Sequence, residues 1–291
     1  MIRFFQSKWK LLGGLLLAAL VLGLAMSWIV GGALSAPVNH PVALPNDLAV
    51  ETVSFASTSG ATISGWLVQP ATNRGVIILQ HGVRGDKSTL VERAKFLSRA
   101  GYAVLLFDFQ AHGESLGKKI TFGFLESRDS LAAVEFVKKR FPEKPVGVIG
   151  VSLGGAAALL AKPPLAVQAL VLESVYPDLV DATKDRLEWV LGRPARILSP
   201  LLTGQLTLRI GVSPDDLRPI DCGAEIRTPK LFLAGTKDPR TKFSEAQEMF
   251  ARAAEPKLFF PVEGAGHEDL HHFLGARYEQ LILDFLEKYL Q

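Results

Sequence analysis

Residues 146–161 read VGVIGVSLGGAAALLA, and this stretch decides the fold. Val146–Val151 is a short, almost continuous apolar run, the pattern of a strand buried on both faces of a parallel sheet. Residues 153–162 read as a helix. Between the two stands Gly150-Val-Ser152-Leu-Gly154, a G-x-S-x-G string at a strand-to-helix turn. Such a turn is tight and passes close to neighbouring backbone, so it needs glycines beside the serine. The helix that follows aims its first N–H groups and its positive end at the space where an oxyanion would form.

Similar apolar runs occur on either side of this one: Val76–Leu79, Ala103–Phe107, Val167–Leu172 and Leu231–Ala234. Helical stretches fall between them at 88–100, 125–140, 243–254 and 272–290. Alternating strand and helix predicts βαβ crossovers and a three-layer α/β sheet. Two alternating stretches, 49–55 and 62–69, predict an antiparallel opening pair with Ser59-Gly60 in the turn. Residues 176–228 interrupt the rhythm and read as a helical cap over the sheet, since Leu179, Val180, Leu187, Val190 and Leu191 fall near a 3.6-residue period.

The chain has 291 residues, of which 48% are hydrophobic and 21% charged, which excludes a disordered chain. One cysteine, Cys222, excludes a disulfide scaffold and reads as a small buried hydrophobe. The net charge of +3 comes from the N-terminus: residues 1–46 hold Arg3, Lys8 and Lys10 and no acid, and the other 245 residues balance at 29 against 29. A charge-neutral body gives no basic footprint for a nucleic-acid partner.

Leu11 to Ala36 carries no charge at all. About 20 apolar residues span a hydrocarbon core as a helix, whereas a secretory signal has an apolar region of roughly 7–15 residues. We therefore expect a membrane anchor over 11–35, with 1–10 as a basic cytoplasmic flank and the body extracytoplasmic, because positive charge stays inside. The alternative is a cleaved signal, with Ala33 and Ser35 before the cut and a secreted or periplasmic product. Pro37, Pro41 and Pro45 mark 36–47 as an extended linker before a domain spanning 48–291.

A nucleophilic serine needs a base, and the base needs an orienting acid. Chain order at such an elbow is serine, acid, histidine. Asp238 follows the run Leu231–Ala234, and His267 follows FFPVEGAG, so both belong to the sheet edge that carries Ser152. Glu173 and Asp178 are rival acids. His271 and His272 are rival bases that read as surface residues in the final helix. The oxyanion donors are expected to be the N–H groups of Leu153 and Val83. His81 reads as packing its loop; Asp108, His112, Gly113 and Ser115 read as fixing another, with His112 a candidate pocket-lining residue.

HGVRG (81–85), DFQAHGES (108–115), GVSLGG (150–155), GTKD (235–238) and GAGH (264–267) together resemble the α/β-hydrolases, over residues 49–291. The chain is similar to the serine-aminopeptidase-like and monoacylglycerol-lipase-like branches. Related extracytoplasmic members often read Asp-x-Arg-Gly-x-Gly where this chain has DFQAHG. The resemblance implies an α/β-hydrolase fold with a mostly parallel sheet, and a serine esterase or a serine peptidase or amidase. We expect an ester as substrate, with an apolar acyl chain received by Leu187, Trp189, Val190, Leu191, Ile197, Leu198 and Leu201. No metal or organic cofactor is implied. Two rivals remain: a zinc protease using His267-Glu268-Asp269-Leu270-His271 with Glu287 as third ligand, and a non-catalytic, membrane-tethered binding module.

Overall fold

The computed structural model describes residues 2–70, 72 and 74–290, with side chains from Leu12 onward. The side chains of Arg3, Lys8 and Lys10, the basic flank of the topology argument, lie outside the described residues. In chain order the elements are α1 (Ile2–Ser35), β1 (Val38–Asn39), β2 (Glu51–Ala56), β3 (Thr62–Val68), β4 (Val76–Gln80), α2 (Val91–Arg99), β5 (Ala103–Phe107), β6 (His112–Gly113), α3 (Phe124–Arg140), β7 (Val146–Val151), α4 (Leu153–Leu160) and β8 (Ala169–Glu173). Four short helices follow: α5 (Leu179–Leu191), α6 (Ser199–Thr203), α7 (Leu206–Ile210) and α8 (Pro219–Cys222). The chain closes with β9 (Lys230–Gly235), α9 (Phe243–Arg252), β10 (Lys257–Val262), α10 (Leu270–Leu274) and α11 (Ala276–Tyr289).

Eight strands form one sheet in the order β10-β9-β8-β7-β4-β5-β3-β2. The six strands from β10 to β5 are parallel. β3 runs antiparallel to β5, and β2 antiparallel to β3, with Glu51 opposite Leu67. The central strands read as continuous apolar runs because both faces are covered. Ala133, Val134 and Val137 of α3, Ala156–Leu159 of α4 and Met249 of α9 cover one face. Ala94 and Leu97 of α2 and Tyr278, Ile282 and Phe285 of α11 cover the other. Edge strand β2 is half-exposed and alternates, as one-sided burial requires.

Two boundaries differ from the sequence reading. The helix expected over 272–290 is broken, because Gly275 sits at φ +55° and separates α10 from α11. The apolar run beginning at Val167 becomes strand only at Ala169; the residues before it form the turn out of α4.

α1 is the one described helix long and apolar enough to cross a membrane, over Leu12–Ser35. It is exposed until its final turns, where Gly31 and Ser35 become buried against the body. The proline-bearing stretch after it is docked rather than free. β1 pairs in parallel with β6, Val38 N–H donates to Ala111 O at 2.8 Å, and His40 Nε2 meets Asp86 Oδ2 at 3.1 Å.

Candidate functional site

Ser152 caps α4 at φ +50°, ψ −107°, a backbone conformation that stores strain for a side chain. The surrounding sequence supports it. A Cβ on Gly154 would lie 2.3 Å from Gln80 O, and one on Gly150 would lie 2.5 Å from Gly155 N. α4 therefore approaches both β7 and β4 closely only because the two flanking residues lack side chains. Ser152 N–H donates to Glu173 O at 2.7 Å, which ties the turn to β8.

Asp238 and His267 come from the loops after β9 and β10, at the same carboxyl edge of the sheet. His267 Nδ1 donates to Asp238 Oδ2 at 2.7 Å. The carboxylate also accepts from Arg240 N–H at 2.8 Å, Thr241 N–H at 3.0 Å and Thr241 Oγ1 at 2.7 Å. Burial pushes the Asp238 carboxyl up, but the bonds from His267 and Thr241 outweigh it and hold the group below its ordinary value. With Nδ1 so engaged, Nε2 is the free ring nitrogen of His267. No hydrogen bond joins Ser152 Oγ to that nitrogen among the described residues, yet both residues line the same two cavities. Such contacts commonly tighten only with substrate bound.

The backbone N–H groups of Val83 and Leu153 donate to no other group among the described residues. Both residues line the larger cavity beside Ser152. They are thus placed to receive an anionic oxygen.

His81 is fully buried: Nδ1 donates to Gly82 O at 2.7 Å and Nε2 accepts from Phe109 N–H at 3.1 Å. Burial, helped by His112, pushes it down to about 3, so it is neutral and structural. Asp108 holds buried Lys87 by Nζ at 2.5 Å and accepts from Lys87 and Glu114 N–H at 2.7 and 2.9 Å. Gly113 is required there, because a Cβ would fall 2.4 Å from Asp108 Cγ. His112 is fully buried, with Nδ1 against Gln110 O at 2.9 Å, and lies outside the residues lining both cavities.

The rival acids are committed elsewhere. Glu173 pairs with buried Arg93 at 2.8 Å and with Tyr278. Asp178 caps α5 and pairs with Arg218 at 3.0 Å. Arg93 also holds Asp269 at 2.9 Å, which fixes the start of α10 two residues beyond His267. His271 is not a surface residue: it packs against Phe96 and Tyr278 and meets Glu279 at 3.1 Å. His272 is exposed. α10 begins only at Leu270, so His267 and His271 do not share a helical turn, and Glu287 lies at Arg74. The zinc-protease geometry does not form. Cys222 is half-buried rather than buried, with Sγ 3.8 Å from Arg218 O.

Two cavities meet at Ser152. The larger, about 620 Å³, is predominantly apolar. Leu187, Trp189, Val190 and Leu191 line it, as the cap reading required. Ile197, Leu198 and Leu201 do not; they face outward, Ile197 being 81% exposed. Sequence reasoning missed Phe122, Tyr176, Leu202 and Leu206, and also Val30, Gly31, Leu34 and Ser35 at the end of α1. Nothing in the linear sequence signals that an apolar N-terminal segment folds back on the site.

The smaller cavity, about 430 Å³, is lined by charged side chains of both signs, Arg84, Arg93, Arg186 and Arg240 with Glu268 and Asp269, beside Ser152 and His267. Arg84, Arg186 and Arg240 line the larger cavity as well, where the two join. Arg186 and Arg240 both stack on Trp189, at 5.5 and 4.4 Å from the ring centroid. Burial and then Arg240 push Arg186 down, against the pull of Asp238. Neither guanidinium has a carboxylate within 4.0 Å among the described residues.

The sequence family described as "Serine aminopeptidase, S33" matches residues 71–213. An esterase structure from Pyrococcus furiosus superposes with a TM-score of 0.72 at 25% identity, covering 88% of this chain and 99% of that one. The chain has the α/β-hydrolase fold. This hydrolase is 29% identical over 252 residues to an uncharacterized protein of Mycobacterium tuberculosis, covering 84% of the chain and 78% of that protein. It is 28% identical over 228 residues to the lysophosphatidylserine lipase ABHD12 of Mus musculus, covering 72% of the chain and 53% of that protein. Its neighbours are esterase- and lipase-like.

Proposed function

We propose that this hydrolase cleaves carboxylic esters bearing one acyl chain, through an acyl-enzyme on Ser152. His267 takes the proton from Ser152 Oγ as that oxygen attacks the carbonyl carbon. The Val83 and Leu153 N–H groups stabilise the tetrahedral oxyanion. Asp238 orients the imidazole and stabilises its cation. His267 then protonates the departing alcohol, and water repeats the sequence on the acyl-enzyme. The carrying observation is the 2.7 Å His267–Asp238 bond at a cavity that also holds Ser152 and two unengaged backbone donors.

The apolar part of the larger cavity takes the acyl chain, and Arg84, Arg186 and Arg240, where the two cavities join, take an anionic group on the alcohol side. This favours an ester over a peptide, and it agrees in kind with the lysophosphatidylserine lipase among the relatives. α1 acts as an uncleaved anchor with the body on the extracytoplasmic side, so the substrate is met at a membrane.

Ser152→Ala tests the reading. Loss of the nucleophile costs on the order of 10⁴-fold or more in kcat. Ester hydrolysis should vanish while circular dichroism stays unchanged. Wild-type turnover in that variant would overturn the assignment.

A further inference from the structure

We infer that the last turns of α1 form a wall of the acyl site, so that the hydrolase draws its substrate's chain sideways out of the bilayer along its own anchor. This rests on the ester-hydrolase reading and adds the route and the physical state of the substrate. Val30, Gly31, Leu34 and Ser35 line the 620 Å³ cavity that contains Ser152. They are held there by specific bonds. Gln205 Nε2 donates to Ser27 O at 3.0 Å, and Arg209 donates to Trp28 O and lies 4.1 Å over the Trp28 ring. Arg84, next to Val83 in the proposed oxyanion loop, donates to Ala33 O at 3.2 Å, and Ile120 N–H donates to Ser35 O at 2.9 Å. Gln205 packs directly on the helix backbone at Gly31, where a Cβ would stand 2.5 Å from Gln205 Oε1.

The depth follows from length. The span Leu12–Ser35 has 24 residues, and about 20 cross a hydrocarbon core. The final turn therefore stands at the interface, where Trp28 and the Arg209 guanidinium suit the headgroup level. α7, which carries Gln205 at its cap and Arg209 within it, also presents Leu208 at 84% exposure, so apolar surface continues from the anchor onto the cap. A chain leaving the hydrocarbon beside α1 reaches Ser152 without crossing water. A cut after Ser35 would detach this wall, so the site is complete only in the anchored chain.

The test uses the full-length protein in phosphatidylcholine vesicles with Leu34→Trp and Leu34→Ala. The readout is the ratio of kcat/KM for palmitoyl to butyryl esters of one alcohol, together with labelling rates by long-chain and short-chain fluorophosphonates. Leu34→Trp should lower the palmitoyl-to-butyryl ratio by about ten-fold or more and slow the long-chain probe selectively; Leu34→Ala should leave the long-chain probe at least as fast. An unchanged ratio, or equal loss with both chain lengths in Leu34→Trp, would overturn the wall. If no probe labels Ser152 in the wild type, the ester-hydrolase reading itself fails instead.

Discussion

Asp238 accepts four hydrogen bonds, and three of them come from its own loop and one from His267. That loop holds the carboxylate ionised and aims it at one imidazole nitrogen. Asp238→Asn keeps the shape but reverses the donor requirement, so His267 is driven toward the wrong tautomer. We expect kcat to fall by about 10⁴-fold with little change in melting temperature, measured by steady-state kinetics beside calorimetry. Arg186 and Arg240 test the alcohol side. A charge-assisted bond is worth about 1.5–3 kcal/mol, so Arg240→Gln should raise KM about ten-fold or more for a monoacyl phosphate-bearing ester. A neutral monoacylglycerol should be almost unaffected; equal effects on both would remove the anion subsite. Ser152, Asp238 and His267 were legible from spacing because each follows a strand. Arg186 and Arg240 were not, because their meeting depends on Trp189 lying between two separate elements.

The cap is joined to the sheet by a set of charges between α5 and α9. Asp185 is fully buried and is held by Arg196 at 2.5 Å and Lys242 at 2.9 Å. Its Oδ2 lacks a partner among the described residues. Glu245 of α9 faces it, and burial first, then Asp185, push the Glu245 carboxyl up to about 8. A protonated Glu245 supplies the donor that Oδ2 needs. The folded state thus holds a proton that the unfolded chain, near 4.5, has released. The stability from this pair is complete below that lower value and is lost as pH rises through about 8. Glu245→Gln retains a donor without a proton to lose. Its urea midpoint should therefore change less across that window than the wild type's, and parallel curves would exclude the shared proton. At this scale the sequence located the strands and most helices from their periods. It missed the break at Gly275 because an isolated glycine in an apolar-periodic segment carries no sign of its φ.

The whole molecule is a charge-balanced body attached to an apolar helix that it also grips. Full-length protein should therefore remain in the membrane pellet after alkaline carbonate and leave it only with detergent, as an immunoblot of the fractions would record. Release by carbonate alone would mean a cleaved segment. Gln205 at the cap of α7 and Arg209 within α7 donate to the carbonyls of Ser27 and Trp28, which joins α1 to the cap. That contact unites segments 178 residues apart, and no local pattern encodes it.

By itself the sequence determined the sheet, the strand-to-helix turn at Ser152, the placement of Asp238 and His267 after strands at the same sheet edge, and the presence of a membrane-length helix. Those properties are local: hydrophobic period, glycine spacing and residue order along the strands. The tertiary structure alone decided that β1 docks on β6, that Arg84, Arg186 and Arg240 meet where the two cavities join, and that α1 lines the larger of them. Each depends on which surfaces face one another after folding, and that is fixed by packing between segments far apart in the chain.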